Sequence, residues 1–165
     1  MWNGGFETER IAGWGLDWRI RQTWGVEVAL DRFQAARGRQ SLRLAFNSAP
    51  TLDFAGVLQT VPVRGGAQYV LRALVKAVDF NTSSGLKLQV VSRKDEPLGE
   101  TRAISGTTGD WVPIEARVRI PADTTLVQVR VRREKAPGPE GNLGGKDWLD
   151  EASLTPVATS AAVGG

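Results

Sequence analysis

Trp111-Val112-Pro113-Ile114-Glu115-Ala116-Arg117-Val118-Arg119-Ile120, then the turn Pro121-Ala122-Asp123, then Leu126-Val127-Gln128-Val129-Arg130-Val131-Arg132-Arg133, alternate apolar and polar side chains on both sides of the turn. Ile114, Ala116, Val118 and Ile120 fall on one side of an extended chain, and Glu115, Arg117 and Arg119 on the other. After the turn the pattern restarts, with Val127, Val129 and Val131 on one side and Gln128, Arg130 and Arg132 opposite. Successive side chains of a strand point to opposite faces, so this alternation describes half-buried antiparallel strands with one face on a core.

The same period extends outward in both directions. Leu42, Leu44 and Phe46 share a face, as do Tyr69, Leu71, Ala73 and Val75, with Arg72, Leu74 and Lys76 opposite. Leu86, Leu88 and Val90 oppose Lys87, Gln89 and Val91. Gly56 to Val63 reads as a further strand, closed by Pro62 and Arg64-Gly65-Gly66. Asn81 to Gly85 and Ser105 to Asp110 are loops rich in turn residues. Ala136 to Gly145, with two prolines and four glycines, is expected to be a mobile rim. Residues 26–36 have helical propensity, but Val26-Glu27-Val28-Ala29-Leu30 alternates, so they are read as a strand and a loop. The expected fold is all-β, an antiparallel β-sandwich, as a single domain over 1–156 with a tail or linker at 157–165.

Composition narrows the chemistry. The chain has 165 residues, one domain's worth, and 41% of them are hydrophobic. It has no cysteine, so a disulfide framework and thiolate chemistry are excluded. It has no histidine, which removes the usual general base, the usual zinc ligand and a Ser-His-Asp triad. Asp53, Asp79, Asp95 and Asp110 fall in or beside loops, but no spacing pairs them for glycosidase chemistry. The chain is therefore expected not to be an enzyme. The charge of +3 is mild, and no nucleic-acid-binding motif accompanies it, so no nucleic-acid partner is expected. No run approaches the roughly 18 apolar residues of a membrane helix, so no membrane insertion is expected. Met1 stands against the first expected strand with no apolar leader, which reads as a domain of a longer protein.

The two ends of the chain carry acids beside expected strands: Glu7 after Asn3-Gly4-Gly5-Phe6, and Asp150 within Trp148-Leu149-Asp150-Glu151-Ala152-Ser153-Leu154. A fold that joins the ends joins these carboxylates, which repel unless a cation lies between them.

The ordered set Asn3-Gly4-Gly5-Phe6-Glu7, Gly13-Trp14, Gly38-Arg39-Gln40-Ser41-Leu42, Gln59-Thr60-Val61-Pro62-Val63, Tyr69 to Lys76, Asp110-Trp111 and Trp148 to Leu154 resembles the jelly-roll carbohydrate-binding modules of families 4, 9, 16 and 22. These belong to the galactose-binding-domain-like sandwiches. Gly13 to Arg19 is also similar to the Gly-Gly-Phe-Asp-Trp-Arg-like stretch of a variant in bacterial cell-envelope proteins linked to polysaccharide export. The resemblance covers roughly residues 3–156. It implies a jelly roll with one concave face and a non-catalytic module that binds a polysaccharide there. The implied setting is extracellular or periplasmic, among other domains of a longer chain. It also implies a structural calcium ion held by Glu7 and Asp150, with backbone carbonyls near Gly5 and Gln40. Hard oxygen ligands in irregular geometry suit calcium; the competing reading pairs both acids with arginines.

Sugar recognition needs a flat ring against the C–H face and polar groups for the hydroxyls. Of six tryptophans, Trp111, Trp148 and Trp14 are expected to be structural, while Trp18 and Trp24 are candidates for stacking. Phe54, just before Gly56-Val57-Leu58-Gln59, is a sharper candidate, because an aromatic there often lies in the cleft of the related modules. Gln89, Gln128, Arg130, Arg132 and Arg72 complete the expected site. If they share one groove it is basic, and arginine forks suit carboxylate, sulfate or phosphate groups of an anionic polysaccharide. The alternatives are cross-strand pairing of these cations with Glu100, Glu115 or Glu134, and a structural or protein-interaction sandwich that binds no sugar.

Overall fold

The computed structural model describes residues 1–11 and 15–158. Gly13, Trp14 and most of the expected tail lie outside them. Ten strands form in chain order: β1 Arg19–Ile20, β2 Val26–Asp31, β3 Ser41–Ser48, β4 Phe54–Pro62, β5 Gln68–Val78, β6 Lys87–Ser92, β7 Pro97–Glu100, β8 Val112–Arg119, β9 Leu126–Arg133 and β10 Leu143–Pro156. They make two five-stranded antiparallel sheets, the first ordered β1-β4-β9-β6-β7 and the second β2-β3-β10-β5-β8. There is no helix among the described residues, and thus none long and apolar enough to cross a membrane. The stretch at 26–36 is a strand and a loop: β-branched Val26 and Val28 alternate with Glu27 and Ala29, and both pack on the core.

The inward stripes meet between the sheets. Val57 and Val61 of β4, Leu88 and Val90 of β6, and Val127, Val129 and Val131 of β9 face Leu42 and Leu44 of β3, Leu71 and Val75 of β5, and Ile114 and Val118 of β8. Each such side chain removed from water contributes about 1.5–3 kcal/mol.

The chain's first residues close the sandwich. Trp2 donates its amide to Gln59 Oε1 at 2.8 Å and accepts Gln59 Nε2 at 2.7 Å. The Ala152 amide donates to the Gly4 carbonyl at 2.9 Å, inside a register irregularity of β10 between Asp150 and Ser153. That approach requires a glycine, because a Cβ on Gly4 would lie 1.8 Å from the Ala152 carbonyl oxygen.

The rim at 136–142 is fastened rather than loose. Glu140 accepts the Ser83 amide at 2.5 Å and the Thr82 hydroxyl at 3.1 Å. Asn81 donates to the Asn142 carbonyl and accepts the Gly144 amide.

Candidate functional site

The strand register sets the outward side of the first sheet. Arg19 lies opposite Leu58, Leu58 opposite Arg130, Arg130 opposite Gln89, and Gln89 opposite Glu100, so one row crosses all five strands. A neighbouring row holds Thr60, Gln128 and Val91, and Arg132 stands beside Lys87. Four of the expected site residues, Gln89, Gln128, Arg130 and Arg132, therefore share this side.

Their charges are not free. Arg130 reaches Asp95 at 2.6 Å with one nitrogen and Gln89 Oε1 at 2.8 Å with another. Gln89 passes the chain on to Glu100 at 3.0 Å. Lys87 bridges Glu100 at 2.9 Å and Glu134 at 3.2 Å. Arg132 pairs with Asp53 and also donates to the Phe54 carbonyl. The side chains of Lys87, Arg130 and Arg132 are only 11–15% exposed. Three cations thus meet four carboxylates, and the surface is a paired polar ladder instead of a basic groove. The bond from Arg132 holds the Asp53 carboxyl below its ordinary range, and the bond from Lys87 does the same for Glu100; burial opposes both. The side chains of Gln128 and Arg19 make no hydrogen bond or ion pair within the described residues, so they are the ladder's open groups.

Three expected site residues lie elsewhere. Trp18 is buried: its ring stacks on Phe6 at 5.2 Å, and its Nε1 donates to the Asn3 carbonyl at 3.0 Å. It anchors the chain's start and offers no face to a ligand. Phe54 is buried edge-on against Phe46 at 6.0 Å, because the irregularity of β4 between Phe54 and Val57 turns its ring into the core. Arg72 belongs to β5 in the second sheet and pairs with Glu115 at 2.7 Å, as the cross-strand alternative anticipated. Trp148 is covered, but on the outward side of the second sheet, where its indole donates to Asp31 at 2.9 Å. Trp111 is half-buried.

Glu7 and Asp150 do converge. A Cβ on Gly5 would stand 3.8 Å from Glu7 Cγ and 4.0 Å from Asp150 Oδ1. The loop after β2 supplies amides to both: Ala36 and Arg37 donate to Asp150 Oδ2 at 2.9 and 3.1 Å, and Arg39 and Gln40 donate to Glu7 at 2.9 and 3.3 Å. Arg39 approaches Glu7 at 3.8 Å but is largely exposed. Asp150 is fully buried and has no ion pair, and burial raises its pKa although three amides oppose the shift. The donors are all hard oxygens, and Asp150 is a buried acid without a cation, which fits a hard divalent ion. No three acidic side chains gather in metal-binding geometry among the described residues, so backbone carbonyls and water would have to complete a shell.

A second feature lies at the open seam where the sheet-edge strands β1 and β2 meet. A cleft of about 670 Å3 is lined by Ile20, Gln22, Trp24, Val26, Glu27 and Asn47 among others. Trp24 is 94% exposed at its lip. The sequence places Trp24 among the stacking candidates, but the cleft was not legible, since its walls come from two separate stretches of chain, 20–28 and 45–47.

No protein-family model matches the chain, and no curated protein does. Solved structures do. A family 4 carbohydrate-binding module superposes with a TM-score of 0.64 at 16% identity, covering 94% of this chain and 98% of that one. A family 61 module in complex with β-1,4-galactotriose gives 0.61 at 19%, covering 95% and 97%. The C-terminal family 22 module of a Clostridium thermocellum protein, Xyn10B, gives 0.58 at 20%, covering 98% and 99%. Two antiparallel five-stranded sheets in this order, matched over nearly whole chains, give this protein the jelly-roll fold of the carbohydrate-binding modules.

Proposed function

We propose that this domain is a non-catalytic carbohydrate-binding module that holds a polysaccharide across the outward side of the first sheet. The observation that carries the reading is the row spanning all five strands, polar at every strand but β4, where Leu58 stands, with Arg19 open at its end and Gln128 open in the row beside it. A ladder already locked by its own bonds meets sugar hydroxyls without ordering new side chains, which lowers the entropic cost of binding. A non-catalytic role is supported by the acids on this side: Asp53 and Glu100 are held below their ordinary range by their cations, whereas a general acid needs a raised pKa. Because Asp95 and Asp53 already occupy the arginine forks, an anionic polysaccharide must displace them, and a neutral glycan need not. The setting is a longer extracellular or periplasmic protein. A family 22 module attached to a xylanase catalytic module shows the same fold in such company.

Gln128→Ala is expected to weaken glycan binding about tenfold and to leave the melting midpoint in place, since its amide has no partner in the protein. Binding is expected to be nearly insensitive to salt; a steep loss with salt would identify an anionic ligand instead. A glycan array that captures nothing would leave the structural or protein-interaction role in its place.

Calcium is part of the same proposal. Glu7 and Asp150 would hold it, and it would tie the chain's start to β10 and to the loop at 36–40, a structural role. Calcium at a hundred times its dissociation constant should stabilise the domain by about 2.7 kcal/mol, and Asp150→Asn should abolish that gain. A melting midpoint indifferent to calcium and to chelator removes the ion.

A further inference from the structure

We infer that the seam cleft under Trp24 is a second sugar subsite, built for a neutral pyranose ring. The inference rests on the carbohydrate-binding reading and adds a location and a ligand class to it.

Trp24 is a large ring with almost its whole surface in water. Such exposure leaves the apolar face of the indole open to a ligand. The backbone that carries it is held in place. The Val26 amide donates to the Thr23 carbonyl at 3.1 Å, closing the turn, and the Asn47 amide donates to the Gly25 carbonyl at 2.8 Å, fastening the turn to β3. Gly25 has φ of +81°, and a Cβ there would lie 2.6 Å from Ser48 Cβ. Only glycine allows the turn to press so closely on β3, and that contact fixes the backbone under Trp24. With that backbone fixed, only the two side-chain torsions of the indole remain to be ordered when a ligand covers it.

The cleft supplies the other half of sugar recognition. Ile20 and Val26 give it apolar walls. Gln22 and Asn47 line it with side-chain amides that make no hydrogen bond within the described residues, and each has two donors and an acceptor to offer hydroxyls. Glu27, the one charged residue of the lining, is already paired with Arg43 at 2.8 Å. No cation lines the cleft, so a uronate or sulfate has nothing to pair with there. An apolar wall, an open indole on a fixed turn and free neutral amides match a ring with C–H faces and equatorial hydroxyls.

The test is titration of the isotope-labelled domain with β-1,4-galactotriose, xylohexaose, cellohexaose and the best-captured glycan of an array. The indole N–H resonance of Trp24 is assigned from its loss in Trp24→Phe. The expected result is a shift of that resonance on binding, an approximately tenfold weaker affinity in Trp24→Ala, most of the affinity retained in Trp24→Phe, and no dependence on salt. Binding that leaves the Trp24 resonance and the Trp24→Ala affinity unchanged, while Gln128→Ala weakens it, overturns the inference and leaves the proposed function standing. Binding at Trp24 by charged glycans alone overturns the neutral assignment. If no glycan binds at all, both readings fall. Trp24 packs on nothing that it could unfold when removed, so loss of fold does not confuse the result.

Discussion

Arg133→Met is expected to destabilise the domain by about 3–5 kcal/mol, the cost of breaking a buried charge network from one side. Arg133 ends the valine stripe of β9 and is fully buried. One terminal nitrogen donates to the carbonyls of Pro50 and Leu52 at 2.9 and 2.5 Å, and the other donates to the Thr82 hydroxyl at 2.8 Å and to Glu140 at 3.2 Å. One planar fork thus ties together the loop before β4, the loop after β5 and the rim before β10. Burial pulls the guanidinium's pKa down, with Glu140 and Asp53 opposing, yet arginine stays charged in proteins. Methionine fills the volume but takes the donor from two carbonyls and the charged partner from Glu140, which keeps only Ser83 and Thr82. For a domain of this size the loss corresponds to a melting midpoint lower by roughly 10 °C. Arg133→Lys should recover part of it, because an ammonium keeps the charge but cannot reach four acceptors in one plane. A shift of less than about 1 kcal/mol in Arg133→Met would mean that the loops are held by their other contacts.

Arg133 also shows what the sequence reveals and what it hides. Period two was legible wherever one face is buried, so Leu126 to Arg133 is a strand and Gln128, Arg130 and Arg132 face outward. The same parity sends Arg133 inward, but a run of arginines at a strand end reads as surface, and the network that accepts it comes from distant loops. The partners of Arg130 and Arg132 were hidden for that reason: Asp95 is 35 residues away and Asp53 is 79. The expected pairing with glutamates holds for Arg72, whose partner Glu115 lies directly across in register. It fails where a loop acid reaches the same fork first.

Aromatic residues were the least legible part of the site. Trp18, Phe54 and Trp24 have similar hydrophobicity and similar surroundings in sequence, yet two are core and one stands in water. What separates them is backbone geometry: an irregular β4 turns Phe54 inward, the N-terminal segment brings Phe6 onto Trp18, and the close contact of Gly25 with β3 lifts Trp24 out. Ring chemistry alone carries none of that.

Asp147→Val is the substitution expected to stabilise the domain, by about 1–3 kcal/mol at neutral pH, the cost of leaving a buried polar group unsatisfied. Asp147 sits on β10 opposite Leu44 and Ala77, at an inward position of the core. It is fully buried, and neither carboxylate oxygen has a hydrogen-bond partner. Burial drives its pKa well above the ordinary carboxylate value. The consequence for pH has a definite sign. Between the unfolded value near 3.9 and the raised folded value, the native state holds one proton more than the unfolded chain. Stability therefore falls as pH rises through that window, by up to about 1.4 kcal/mol per unit. In chelator, without calcium on it, Asp150 is also raised by burial and acts in the same direction. Asp53 and Glu100, lowered by their cations, act oppositely, and their contribution is lost only as pH drops below the ordinary carboxylate range. The wild-type domain should thus be most stable in mild acid and lose stability toward neutrality. Asp147→Val should flatten that decline, leaving the smaller slope due to Asp150. Valine suits a strand position and is close enough in volume to avoid overpacking. Asp147→Asn separates the two effects: it removes the titration but keeps unsatisfied polar atoms, so the slope should flatten with little gain in stability. Chemical denaturation of the three proteins from mild acid to mild base measures both quantities. An Asp147→Val domain that is less stable than wild type at neutral pH, with an unaltered slope, would mean that the carboxylate has a partner in solution.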